Sequence, residues 1–340
     1  RLSEPTDSIR GDGSPASVAK DHARQTRRRG PMTSRGLVLF AAMSLIWGIP
    51  YLLIRVAVVE ISPAALVLAR TTIATAILLP IALVRVDLRS LRPHSAWIVA
   101  FALVEIAGPW ILLGSAEQRI SSSLAGLLVA AVPLVGASIS IATRGADRFS
   151  WTAGLGLLIG TAGVAAIVGT DLAAGDAVAI LEMVGVVVGY AVGPAILARR
   201  LGGVSSLGVM TVSLALCALL YAPIVALDPP AALPSPAVIV AIGILAVVCT
   251  AVAFLVFAAL ITAIGPVRAT VITYVNPAVA AALGVLLLRE TFTPAMALGF
   301  VLVITGSALA TRHPTRSPVE TPATHLEAAD TAEPRSAAVP

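Results

Sequence analysis

Two ionisable side chains stand inside long apolar stretches of the sequence, where a charge needs a partner or a function. Glu105 lies in the middle of segment 96–116, and Arg70 lies one to two turns from the start of segment 64–84. A buried carboxyl group can be a neutral acid or an anion, so Glu105 could bind and release a proton or face a cationic solute. Alternatively, it is a neutral, hydrogen-bonded residue that holds two helices together.

Other charged residues in these stretches have simpler interpretations. The long side chain of Arg70 can reach the membrane surface, or it can pair with a carboxylate inside the protein. Glu182 lies little more than one turn into segment 177–198 and is interpreted as a partly hydrated acid at a helix end, or as part of a vestibule. Arg55 and Arg268 are expected to extend to the interface.

Aromatic and amide side chains next to prolines are the second group of candidates. Proline leaves the carbonyl group four residues earlier unpaired, so a polar, partly open helix segment is expected there. Ordinary core packing is the alternative for each of these side chains. The prolines predicted to kink helices are Pro50, Pro133, Pro194 and Pro277. The residues predicted to line a central cavity are Trp47, Glu105, Trp110, Tyr190, Phe254, Tyr274 and Asn276.

The composition is that of a protein embedded in lipid. Of 340 residues, 58% are hydrophobic and 12% are charged, about half the charged fraction of a soluble domain. The mean hydropathy is +0.95. The net charge of +5 is concentrated in the N-terminal tail and in short loops. These values argue against a soluble enzyme, a nucleic-acid-binding protein and a disordered scaffold, and they predict a membrane protein whose main partner is the lipid bilayer.

The apolar segments predict an all-α protein with ten transmembrane helices, because about 20 apolar residues cross a bilayer. Residues 1–36 and 312–340 are predicted to be disordered tails, and Met32, directly before the first segment, is a candidate translation start. The segments are continuous rather than alternating, which argues against barrel strands. The first five are 37–57, 64–84, 96–116, 123–143 and 151–169, and the second five are 177–198, 204–227, 237–260, 267–288 and 295–311.

The distribution of arginine predicts the orientation. Loops on the side of the N-terminus carry Arg85, Arg89, Arg92, Arg144, Arg148, Arg199, Arg200 and Arg312. The opposite loops carry Glu60, Asp171, Asp176 and Asp228, with Arg119 and Arg289 as exceptions. Cytoplasmic loops are enriched in Lys and Arg, so both termini are predicted to be cytoplasmic, in a bacterial inner membrane.

The two halves of the sequence resemble each other. A shift of 144 residues places Pro50 on Pro194, Arg55 on Arg199, Ser62 on Ser206 and Pro133 on Pro277. A shift of 143 residues places Asp147 on Glu290, Phe149 on Phe292, Gly156 on Gly299 and Gly163 on Gly306. Residues that set backbone geometry are those a duplicated fold retains. Because each half has an odd number of segments, the second half is predicted to be inverted, as in many secondary transporters.

Motifs across residues 37–311 resemble the EamA family of the drug/metabolite transporter superfamily. They are Ile46-Trp47-Gly48 with Arg55, Ser62-Pro63 with Arg70, Ala125 to Pro133, and Gly265-Pro266 through Asn276-Pro277 to Leu288-Arg289-Glu290. Several positions depart from the family pattern. Residues 144–147 replace a usual Gly-Glu pair, Arg55 stands where Lys is frequent, and Glu105 and Glu182 stand at apolar positions. The resemblance therefore implies nothing about coupling chemistry.

The resemblance implies a secondary transporter for a small metabolite, an amino-acid-like compound or a drug, working as an exporter. The driving force is predicted to be the proton gradient, with Glu105 and Arg70 as the coupling candidates, or the substrate gradient alone. The sequence predicts no cofactor and no metal site, and it is compatible with a monomer or a homodimer. A sensor or assembly subunit that does not transport, and a membrane-embedded enzyme, are the alternatives. The pairs of glycines four residues apart (185, 189 and 193; 156 and 160) are predicted to mark close helix contacts.

Overall fold

The computed structural model describes residues 33–144, 150–172, 176–269 and 271–311, and every regular element within them is helical. Eight helical stretches are long and apolar enough to cross a membrane. They are Ser34–Ala57, Pro63–Arg85, Leu88–Glu117, Ser122–Thr143, Trp151–Gly169, Ala177–Arg200, Ser206–Leu227 and Pro236–Ile264. Two shorter apolar helices, Ile272–Leu288 and Pro294–Ala310, follow. The prediction of an all-α membrane protein is confirmed.

We number the α-helices in chain order. They are α1 (Ser34–Ala57), α2 (Pro63–Arg85), α3 (Ser95–Phe101), α4 (Gly108–Glu117), α5 (Ser122–Val129), α6 (Val132–Arg144), α7 (Trp151–Leu172), α8 (Ala177–Arg200), α9 (Ser206–Leu227), α10 (Pro236–Ala246), α11 (Ala253–Ile264), α12 (Pro266–Ala269), α13 (Ile272–Leu288) and α14 (Pro294–Ala310). A 3₁₀-helix, Leu88–His94, precedes α3. The first π-turn, Ala102–Ala107, joins α3 to α4, and the second π-turn, Val247–Val252, joins α10 to α11.

Hydroxyl side chains define where many of the helices begin. Each accepts a hydrogen bond from a backbone N–H of the first turn, which would otherwise lack a partner. These residues are Thr33, Ser62, Ser121, Ser205, Ser235 and Thr293. Since α1 begins at Ser34, the predicted N-terminal tail, which extended to residue 36, is three residues too long. Residues 1–32 and 312–340, the remainder of the two predicted tails, lie outside the described residues.

The four prolines predicted to kink helices have two kinds of position. Pro50, Pro194 and Pro277 lie inside α1, α8 and α13. Pro133 is the second residue of α6, and the helix is interrupted between Val129 and Val132. Proline lacks the N–H that would bond to the carbonyl four residues earlier, here that of Val129, and its ring clashes with that carbonyl, which accounts for an interruption at this point.

Helices of the first half pack against helices of the second. α2 lies against α9, α5 against α13, and α7 against α14. In the last pair the backbones touch: a Cβ atom on Gly156 would lie 2.4 Å from the backbone nitrogen of Ala310, and one on Gly306 would lie 2.4 Å from that of Gly160. A Cβ atom on Gly163 would lie 2.7 Å from the Gly299 carbonyl oxygen. The prediction that Gly156 and Gly160 mark close helix contacts is confirmed, and the contacts are within one chain.

Candidate functional site

The first π-turn holds Glu105 near the middle of the helical stretch Leu88–Glu117. Its Oε2 atom is buried and accepts no hydrogen bond from any residue that the structure describes. The facing helix, α8, makes room for it, because a Cβ atom on Gly193 would lie 2.0 Å from Oε2 and 2.8 Å from the Cβ of Glu105. The predicted contact role of Gly189 is also confirmed, since its Cβ would lie 2.5 Å from Pro109. A buried carboxyl group without a donor is chemically unusual.

The second π-turn holds Thr250, which is bound on both sides. The Nε atom of Arg70 donates to the Thr250 hydroxyl oxygen at 2.9 Å, and that hydroxyl donates to the Leu245 carbonyl at 2.8 Å. Arg70 is buried, with 7% of its surface exposed. Its side chain therefore lies within the helix bundle and does not reach the membrane surface. Sequence reasoning missed Thr250, although it is the one hydroxyl residue in segment 237–260.

Two aromatic side chains connect these turns. The guanidinium carbon of Arg70 lies 3.6 Å from the centre of the Trp110 ring, a distance at which a cation is attracted to an aromatic face. The side chain of Tyr190 lies beside Trp110, and it is close enough to Glu105 and Arg70 to interact with both electrostatically. The structure thus brings together Glu105, Arg70, Trp110 and Tyr190, which we call the central polar cluster together with Thr250.

The other predicted cavity residues make different contacts. Phe254 packs against the same apolar cluster as Trp110. The ring centre of Trp47 lies 4.8 Å from that of Phe257, in a separate apolar cluster. Asn276, with its amide oriented to suit its neighbours, donates to the carbonyls of Ile272 and Ser44. Tyr274 lies beside Thr311, after the end of α14.

One end of the bundle is joined by polar contacts between helices and connections. Arg55 of α1 donates to the backbone carbonyl of Glu117, and Gln118 donates to the carbonyl of Val58 at 3.2 Å. Arg119 lies 3.5 Å from the carboxylate of Glu182 and 3.9 Å from that of Asp176. We call this end the polar clasp; it includes residues 55–60, 115–123, 176–182, 235 and 290.

Two further carboxylates belong to the polar clasp. Glu290 accepts hydrogen bonds from the backbone amides of Ser122 and Ser123, both at 2.8 Å. Burial acts to raise the pKa of Glu290. Hydrogen bonds from these amides and from the two serine hydroxyls stabilise the anion, however, and the pKa lies below its ordinary value. Glu60 accepts from the hydroxyl of Ser235 at 2.6 Å and from its amide at 2.7 Å, and these bonds lower the pKa of Glu60.

Glu117 differs from the other acids of the polar clasp. It is fully buried, and neither carboxyl oxygen has a hydrogen-bond partner among the described residues. An open pocket of about 390 Å³, lined in part by Arg55, Arg119 and Glu290, lies at this end of the bundle. Sequence reasoning missed Glu117, which falls one residue beyond the predicted segment 96–116.

The described residues include no group of three His, Cys, Asp or Glu side chains that could hold a metal ion. Both cysteines, Cys217 and Cys249, are free and buried. The arrangement is that of a polar cluster enclosed by apolar helices, with one end of the bundle held together by hydrogen bonds.

Comparison with known proteins decides the family. The sequence profile of the EamA-like transporter family matches residues 34–169 and again residues 177–312. The chain belongs to the EamA-like transporter family. The resemblance noted from the motifs is thereby confirmed, and the two matches, a constant 143 residues apart, show that the family domain occurs twice.

The similar proteins agree with membership of the EamA family. The chain is 31% identical over 293 residues to the uncharacterised inner membrane transporter YedA of Escherichia coli K12, with 82% of this chain and 93% of YedA covered. YedA of the strains O6:H1 and O157:H7 gives the same values. A solved crystal structure is 23% identical and covers 82% of this chain and 96% of its own, with a TM-score of 0.57. It supports the fold. The chain is a membrane transporter of the drug/metabolite superfamily that acts on small molecules within the bilayer.

Proposed function

We propose that this chain is a secondary transporter that works by alternating access of two inverted five-span repeats, ten spans in all. Each family domain contains an odd number of predicted spans, so the second enters the membrane in the opposite sense. The pairing of α2 with α9, α5 with α13 and α7 with α14 supports this arrangement. Two similar halves of opposite orientation can exchange their packing and so open a shared site to either side.

The central polar cluster is the site at which solute and proton meet. The observation that carries this proposal is the buried Oε2 atom of Glu105, which lacks a hydrogen-bond donor among the described residues. A carboxyl group in this setting binds either a proton or a cationic group of the solute. Arg70, held by Thr250 and stacked on Trp110, supplies a fixed positive charge in the same cluster, where Tyr190 interacts with both Arg70 and Glu105. Trp110 and Phe254 provide apolar surface for the rest of a small solute.

The direction of transport follows if the solute and the proton compete for the carboxyl group of Glu105. If the solute and the proton exchange for one another at Glu105, an inward proton gradient drives the solute outward. We therefore propose export of a small metabolite, an amino-acid-like compound or a drug. The arginine-rich loops support a cytoplasmic location for both termini, and in that orientation the polar clasp lies on the periplasmic side of the inner membrane. The inner-membrane assignment of YedA supports this location.

The test has two stages, and the first of them finds a compound that binds. Purified protein is screened by thermal shift against a metabolite library, because a ligand at 100 times its dissociation constant stabilises the folded protein by about 2.7 kcal/mol. A stabilising compound, in radiolabelled form, is then tested for exchange into proteoliposomes preloaded with the unlabelled compound. We expect exchange that exceeds that of protein-free liposomes. A compound that binds but is not exchanged would contradict transport and favour a sensor or assembly subunit.

A further inference from the structure

Glu117 is the acid of the polar clasp that stands apart from the others. Its side chain is fully buried at the end of α4, and both of its oxygens lack hydrogen-bond donors in the described part of the chain. Arg55, a cation that interacts with Glu117 electrostatically, donates to the backbone carbonyl of Glu117. A buried carboxylate without a donor is costly, whereas the uncharged acid is tolerated.

The charged and titratable groups around Glu117 come from three elements. Arg55 and Tyr51 belong to α1, Glu290 to the connection between α13 and α14, and Tyr190 to α8; each interacts with Glu117 electrostatically. Tyr190 also interacts with Glu105. Polar side chains thus extend from the polar clasp to the central polar cluster.

The neighbouring acids of the polar clasp differ from Glu117 because each lies close to a hydrogen-bond donor or a cation. Glu290 and Glu60 each accept hydrogen bonds from backbone amides and hydroxyls, and the pKa of each lies below its ordinary value. Asp176 and Glu182 both lie within 4 Å of Arg119. A proton bound at this end therefore has Glu117 as its natural acceptor.

We propose that Glu117 is a second proton-binding site, and that its protonation is coupled to closure of the polar clasp. In the closed clasp the carboxyl group is held as the neutral acid. When the clasp opens, the pocket lined by Arg55 and Arg119 reaches Glu117. The acid then releases its proton to water, and the resulting carboxylate pairs with Arg55. Closure reverses both steps. The contribution of this site to transport rests on the proposed function; the coupling itself does not.

The test measures the width of the clasp by pulsed electron resonance between two spin labels. Labels are attached at Val59→Cys and Leu287→Cys, two exposed positions on either side of the pocket (75% and 63% exposed). The native cysteines, Cys217 and Cys249, are buried and should take up little label. Labelling of the chain without the two substitutions measures this background. We expect the longer, open distance to gain population as the pH rises. A single proton allows the open-to-closed ratio to change by up to about tenfold per pH unit.

Variants identify the titrating group. Glu117→Gln, which mimics the neutral acid, is expected to stay at the short distance at every pH. Glu117→Asp, which keeps a titratable carboxyl group, is expected to remain pH-dependent, and Asp228→Asn, at an exposed acid, is expected to match the parent. A pH-independent parent, or the same pH dependence in Glu117→Gln, would overturn the proposal. No solute is present, so a chain that fails to transport but closes with acid would contradict the proposed function alone.

Discussion

The two π-turns occupy equivalent positions in the two repeats but carry different chemistry. They begin at Ala102 and Val247, 145 residues apart, which is two more than the offset of the family matches. Glu105 and Thr250 take the same place within the two turns. The carboxyl of Glu105 has an oxygen with no partner among the described residues, whereas the hydroxyl of Thr250 both accepts from Arg70 and donates to Leu245. Both repeats contain a π-turn in the same region, and the side chains that the two turns carry differ.

The difference indicates how a duplicated fold acquires an asymmetric site. A π-turn inserts one extra residue into a helical turn and leaves local backbone groups available, which is why such turns recur at functional sites. In the second repeat these groups are used to hold Thr250 and Arg70 in place. In the first repeat the same irregularity presents an acid. We infer that the second π-turn is a fixed support and that the first is the site where protonation changes.

The largest expected difference between the two π-turns is that the side chain of Glu105 takes up and releases a proton, whereas that of Thr250 does not. Infrared difference spectra between acid and alkaline pH report carboxylic acid groups through their carbonyl stretch. We expect Glu105→Gln to remove one component of this signal completely, and Thr250→Val to leave the signal unchanged. Any component from Glu117 is identified by its loss in Glu117→Gln. An unchanged spectrum in Glu105→Gln would show that the first turn does not titrate.

Substitutions at the second π-turn, the fixed support, should lower the free energy of unfolding more than substitutions at the first. Arg70→Lys keeps the charge but removes the planar guanidinium that stacks on Trp110 and donates to Thr250. We expect the free energy of unfolding to fall by about 2 kcal/mol, the size of a desolvated cation–π interaction. Chemical denaturation in detergent measures this change, with Arg89→Lys, at an exposed position, as the matched control. If Arg70→Lys lowered the free energy of unfolding no more than Arg89→Lys does, the contacts of Arg70 would not stabilise the fold.

A smaller effect is expected where α8 makes room for the acid. In Gly193→Ala the new Cβ would lie 2.0 Å from Oε2 of Glu105, so the carboxyl group must move. Overpacking costs about 1–3 kcal/mol, and the gain in helix propensity returns about 1 kcal/mol, which leaves a net loss of about 1 kcal/mol. The infrared signal of Glu105 should also shift. Gly243→Ala, where nothing lies within 4 Å of the new atom, should cause neither change.

The smallest effect concerns one hydrogen bond of the second turn. Thr250→Val removes the acceptor for Arg70 while keeping the side-chain shape. Hydrogen bonds between helices in a membrane contribute about 0.6 kcal/mol on average, and we expect a loss of this size in the free energy of unfolding. In a double-mutant cycle with Arg70→Lys, the coupling energy should be similar. Strictly additive losses would show that the contact does not stabilise the fold.

The helical segments and part of the site could be predicted from the sequence, because apolar length and isolated charges are strong signals in a membrane protein. Glu105 and Arg70 were found since ionisable groups are rare in such segments, and Trp110 and Tyr190 were found because they lie beside prolines. The structure brings these four together. For Tyr274 and Asn276, the same reasoning did not reveal contacts with Thr311 and Ser44.

The remaining features depend on contacts that a single sequence does not show. A π-turn needs only one additional residue per turn and has no clear composition, so neither turn was predicted. Thr250 is tolerated in any helix because its hydroxyl can bond to a preceding carbonyl. Glu117 was missed because the predicted segment ended at residue 116, and its burial arises from α1 and from the connection after α13.

The most direct test of the central claim is proton-driven flux in proteoliposomes, with a compound that stabilises the purified protein. An inward pH gradient is imposed on liposomes containing the parent, Glu105→Gln or Thr250→Val, and net movement of the compound is followed. The account predicts that Glu105→Gln loses the gradient-driven part of the flux by about tenfold or more, a change of at least about 1.4 kcal/mol, and that Thr250→Val retains it. Equal gradient-driven flux in the parent and in Glu105→Gln would contradict the account.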